Sequence, residues 1–111
     1  MTTKYVQDGA TIQVTAPYDV ASGGGCLVGY LFGSAVYTAV SGAAVDIATK
    51  GVHNLVKKSA DTFAVGDKVY WDNTNKRCTS STTGNKWIGQ AMAVQVNGDV
   101  VMNVRLNGFA Q

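Results

Sequence analysis

Turn signals punctuate this chain at intervals of roughly 8 to 12 residues, the spacing expected of an all-β barrel or sandwich. Between them the apolar residues alternate with a period of two, the pattern of half-buried strands. Asn97-Gly98 is the dipeptide that a type I′ hairpin turn prefers, because both central positions need positive φ. Beyond it Val100, Met102, Val104 and Leu106 alternate with Asp99, Val101, Asn103, Arg105 and Asn107. Before it Ile88, Met92, Val94 and Val96 share one face, with Gln90 as the odd polar member, so residues 86–107 read as one hairpin with an apolar side.

The same reading extends upstream. In "VGDKVYWD" a turn at Gly66 leads into a strand that points Val69 and Trp71 to the core and Tyr70 to the other side. Val45 and Ile47 face the core from a strand that ends at Gly51, and "GVHNLVKK" reads as a further strand. Leu27 to Phe32 is apolar on both faces and is expected as one central, covered strand, with Leu27 and Leu31 in the core. Thr11 to Thr15 is a short strand ended by Pro17, and the one expected helical turn lies at Ser59 to Phe63. The core set is then Leu27, Leu31, Val45, Ile47, Val69, Trp71, Ile88, Val104 and Leu106. The expected fold is all-β, a compact single-domain antiparallel barrel or sandwich with a single modest core. Residues 11–111 form the β domain and residues 1–10 a short extended N-terminal arm, because "MTTKYVQDG" lacks the apolar density of a core element.

Composition narrows the function classes. Only 14% of residues are charged, well below the roughly 25% of an ordinary soluble domain. The surface is therefore rich in Thr, Ser, Asn, Gln and Gly, a composition suited to polar contacts with neighbouring protein. The net charge of +2 gives weak attraction for polyanions and predicts no specific nucleic-acid binding. No apolar run approaches the 18 residues of a membrane span, and the N-terminus lacks a signal-peptide pattern, so no membrane partner is expected and synthesis is placed in the cytoplasm. Cys26 and Cys78 are read as free thiols in or near the core.

Catalytic chemistry is missing. His53 is the only histidine and sits in a strand-like segment with no triad partner singled out beside it. "DNTNK" at 72–76 starts like a calcium loop, yet Lys76 occupies a ligand position and the closing glutamate is absent. The glycines of "VASGGGCLVGYLFG", Gly23, Gly24 and Gly25, lack the lysine and the following helix that a phosphate-binding loop requires. They are read with Pro17 as a bend. Lys57-Lys58 and Lys76-Arg77 cannot each aim two charges into one groove, since strand neighbours face opposite ways. No catalytic residue, metal ligand or cofactor site is assigned.

Several segments in order, "YVQDG" (5–9), "APYDVASGGG" (16–25), "VGYLFG" (28–33), "GVHNLVK" (51–57), "VGDKVYWD" (65–72), "GNKWIGQAM" (84–92) and "VRLNG" (104–108), carry a resemblance. The chain is similar over nearly its whole length to a family of small phage and prophage proteins that resembles the capsid cement, or head decoration, proteins of tailed phages. It departs from the pattern at Val56, where many relatives have proline. A recombinase label attached to some relatives does not suit this chain, which has no Walker A motif and is too short for a nucleotide-binding α/β core. The resemblance implies a structural virion protein on the capsid exterior, made in the bacterial host. Its partners would be the phage major capsid protein and further copies of itself, a trimer first and a dimer second. Tyr5 and Val6 of the arm, with Tyr18 and Tyr70, are the expected interface residues. The alternative is a small nucleic-acid-binding module or another non-enzymatic virion component.

Overall fold

Among the described residues, nine short strands account for the regular structure: β1 (Thr11–Thr15), β2 (Gly25–Val28), β3 (Leu31–Ala35), β4 (Ala44–Ala48), β5 (Gly51–Val56), β6 (Lys68–Asp72), β7 (Arg77–Thr79), β8 (Lys86–Ala91) and β9 (Val101–Leu106). The computed structural model describes residues 11–107 and Ala110, so the expected arm at 1–10 lies outside the described residues. All pairings between strands are antiparallel. The first sheet has the order β1-β4-β3-β2 and the second β5-β9-β8-β6-β7. The second curls until its edges meet, with a parallel bridge between Lys57, just past β5, and Cys78 of β7. The architecture is all-β, as expected from the sequence.

Alternation sets which side chains enter. In β9 Met102, Val104 and Leu106 are buried while Val101, Asn103 and Arg105 are exposed. In β6 Val69 and Trp71 point inward, and in β4 Val45 and Ile47 do. The buried side chains fall into two clusters where a single core was expected. One fills the curled second sheet around Trp71, Ile88, Val69 and Leu55. The other lies under the first sheet around Val45, Ile47, Cys26 and Val20. Phe32 joins them, because its backbone belongs to β3 of the first sheet while its side chain packs on Trp71 with ring centroids 5.0 Å apart. Gly25 sits at this junction. A Cβ there would lie 2.5 Å from the Trp71 ring, so only glycine lets the β2 backbone approach.

Several expectations fail for local reasons. Leu27 to Phe32 is not one strand but two, β2 and β3, joined by the two-residue turn Gly29-Tyr30 with Val28 opposite Leu31. Gly29 takes φ +59° while Tyr30 keeps a negative φ, the II′ pattern that suits a tight hairpin. Leu31 therefore leaves the core, 40% exposed, and Leu27 is only partly buried, packed against the second-sheet cluster. β2 is an edge strand, not a central one. The β8–β9 hairpin also differs. Its pairing runs only from Ala91↔Val104 to Gly89↔Leu106, and Met92, Val94 and Val96 are exposed. The chain beyond Ala91 turns aside to pair Gln95 with Phe63 through two 2.9 Å backbone bonds. Asn97 keeps a negative φ while Gly98 takes +106°, so the turn is not type I′. Residues 59–63 hold turns and that bridge in place of the expected helical turn.

Candidate interaction surfaces

The glycine bend uses its own amides. Gly23 N–H donates to the Ala35 carbonyl at 2.8 Å, Gly24 N–H to Ala21 at 2.8 Å, and the Ser22 amide to Thr38 Oγ1 at 3.1 Å. Three consecutive donors that a phosphate would need are thus committed within the fold. His53 Nε2 lies 2.7 Å from the Lys50 carbonyl. Among the described residues no three His, Cys, Asp or Glu side chains come together as metal ligands. No helix there is long and apolar enough to cross a membrane.

The basic pairs separate as well. Lys57 is only 2% exposed. Its Nζ donates to four carbonyls, those of Lys58 at 2.9 Å, Asp99 at 3.1 Å, Ser59 at 3.2 Å and Val96 at 3.3 Å. A buried ammonium is tolerated only when such acceptors replace its water. Lys76 lies over the Tyr18 ring, 4.2 Å from its centroid, and Arg77 is 3.8 Å from Asp72. Lys57 is spent inside the fold and Lys76 and Arg77 face local partners, so these cations do not line one groove.

What remains open to a partner is surface. Across the outer face of the second sheet, register brings Val56 beside Val101, Asn54 beside Asn103 and Val52 beside Arg105, with Gln90 next to Arg105. Further along, Tyr70 pairs with Trp87, and Lys68 Nζ lies 5.0 Å from the centroid of that indole. Most of this face carries no charge. Next to it Val94, Val96, Val100 and Met92 present apolar side chains to solvent. An uncharged face of mixed valine, amide and aromatic groups is cheap to desolvate and still offers hydrogen bonds, which is the composition of a protein contact.

Of the expected interface residues, Tyr70 stands on this face. Tyr18 is engaged internally, its hydroxyl donating to the Gly25 carbonyl at 2.9 Å and accepting from Leu27 N–H at 3.0 Å. Tyr5 and Val6 lie outside the described residues. From sequence, Val52, Val56 and Val101 are not assigned to an interface, and Lys57 is read only as half of a basic pair, not as a buried residue. Alternation offered a signal for them, since Leu55 inward places Lys57 inward and Val56 outward.

A family model described as phage cement protein matches residues 6–106 of the chain. No curated protein and no solved structure matches it.

Proposed function

The chain belongs to the phage cement protein family, which gives it a structural, capsid-associated role, and from that premise we propose that it binds the outside of the assembled major capsid protein lattice and stabilises it. The family match over residues 6–106 carries this reading. The weakly charged outer face supports it, as does the use of the glycine-bend amides and of the Lys57 ammonium within the fold. A protein that binds only the assembled lattice stabilises it by mass action. Its chemistry is contact area, and several copies joined about a symmetry axis multiply weak contacts into avidity. The outer face around Tyr70, Trp87, Val52, Val56 and Val101 is the capsid-facing surface in this reading.

Residues 1–10 act as an additional contact, an arm whose Tyr5 and Val6 seat on a neighbouring protein. Extended segments do this by adding backbone hydrogen bonds to a strand edge while an aromatic side chain fills a pocket.

Co-sedimentation with heads lacking the protein tests both parts. The full chain is expected to saturate heads at a copy number on the scale of the capsomers. Binding to unassembled capsid protein alone, or a handful of copies per head, would point to another virion position. Deletion of residues 2–8 is expected to weaken head binding at least about tenfold, or roughly 1.4 kcal/mol, with a melting temperature within a few degrees of the parent. Equal filling by the truncated chain would remove the arm from the contact.

A further inference from the structure

The edges of the two sheets are treated unequally. In the second sheet the edge strands meet through the Lys57–Cys78 bridge, and Lys58 N–H donates to the Cys78 carbonyl at 2.8 Å. In the first sheet β2 is capped, because the Tyr18 hydroxyl bonds the outward Gly25 carbonyl and Leu27 amide as a neighbouring strand would. The edge at β1 has no such cover among the described residues. Ala16 N–H donates to the Ala43 carbonyl at 2.8 Å. By the alternation of an antiparallel ladder, Val14 and Ile12 then bond inward to Val45 and Ile47, while the backbone groups of Thr11, Gln13 and Thr15 point away from the sheet. No backbone hydrogen bond within the described residues reaches those outward groups. The strand "TIQVT" has no charge, proline or bulge to discourage pairing, the usual protections of an exposed edge.

We propose that this edge is a self-association seam, in which β1 of a second copy pairs antiparallel with β1 about a two-fold axis at Gln13. The strand is complementary to itself in that register. Thr11 falls opposite Thr15 of the copy, a favourable cross-strand pair with no like charges facing. Ile12 falls opposite Val14 of the copy. Both are only half buried against the first-sheet cluster, so the pairing completes their burial and joins two four-stranded sheets into one. The register selects a dimer over the trimer that the family resemblance favoured. The proposal rests on the self-association part of the reading above and does not require capsid attachment.

Sedimentation equilibrium of the full chain, with its variants, provides the test. The parent is expected to show a concentration-dependent dimer. The double variant Thr11→Lys/Thr15→Lys, which sets lysines opposite each other at both ends of the seam, and Gln13→Pro, which removes an outward N–H that β4 does not use, are each expected to raise the dimer dissociation constant at least tenfold. Should Gln13→Pro fail to fold, the double lysine variant decides. Gln13→Cys is expected to crosslink to itself under mild oxidation, since hydrogen-bonded antiparallel partners lie within disulfide range and Cys26 and Cys78 are buried. A monomer at high micromolar concentration, a trimer, or a dimer indifferent to these changes would overturn the seam. A monomer whose head binding is lost in the lysine variant would assign the edge to a capsid strand instead, which also overturns it. A dimer sensitive to the variants but unable to bind heads would uphold the seam and remove the capsid reading.

Discussion

Lys57 shows how one side chain organises backbone that no strand covers. Its ammonium ties the carbonyls of Lys58 and Ser59 to those of Val96 and Asp99, two loops distant in sequence. Hydrogen bonds from a charged donor contribute roughly 1.5 to 3 kcal/mol each, and buried acceptors left alone cost more. Lys57→Met is therefore expected to lower stability by about 3 kcal/mol or more in urea unfolding, and an unchanged midpoint would show the loops hold without it. Asp61 sits nearby. Burial alone raises its pKa, but hydrogen bonds from Thr79 Oγ1 (2.6 Å) and Ser80 N–H (2.9 Å), with the charges of Lys58 and Lys57, outweigh burial and bring it below the usual carboxylate value. A carboxylate depressed in the folded state adds stability that is complete above its unfolded pKa of about 3.9 and is lost as pH falls through the folded value. Melts from neutral pH into acid should thus fall more steeply for the parent than for Asp61→Asn; parallel curves would remove Asp61 from the acid response.

At the scale of elements, the first sheet depends on how its edges are finished. β2 contributes only four residues, and its outward amide and carbonyl would face solvent but for Tyr18. A phenol is protonated at neutral pH, and desolvation by burial raises the Tyr18 pKa further, so the hydroxyl is the donor to the Gly25 carbonyl. Tyr18→Phe retains the ring that stacks under Lys76 and removes both hydrogen bonds. A loss of about 1 to 2 kcal/mol is expected from two ordinary hydrogen bonds, read as a lower midpoint in denaturant unfolding. A variant as stable as the parent would mean that water replaces the hydroxyl on the β2 edge without cost.

For the whole molecule, the question is whether two clusters behave as one. Phe32 belongs to the first sheet by backbone and to the second by packing, and Gly25 closes on Trp71 at the same junction. The two cysteines report the two clusters separately, Cys26 under the first sheet and Cys78 inside the second. Burial raises both thiol pKa values, so neither should react in the folded protein. Through urea unfolding, both thiols are expected to become reactive at the concentration where the fluorescence of Trp71 and Trp87 changes. Exposure of Cys26 before that change would show the first sheet opening as a separate unit.

Patterning alone determined the class of fold and the faces of β4, β6 and β9, because alternation at Val45/Ile47, Val69/Trp71 and Val104/Leu106 leaves one way to bury the apolar side. The ordered segments carried the family. Tertiary structure decided what local pattern leaves open. Leu27 to Phe32 is equally apolar as one strand or as a hairpin, and only the pairing of Val28 with Leu31 splits it. Met92, Val94 and Val96 alternate as well as any core strand, yet the competing pair Phe63–Gln95 draws that segment off the sheet. The candidate surface was legible at Tyr70, since alternation opposes it to Trp71. It was not legible at the β1 edge or at Tyr18, because whether a strand's outer hydrogen bonds are met depends on which segment lies beside it, and sequence period says nothing about that neighbour.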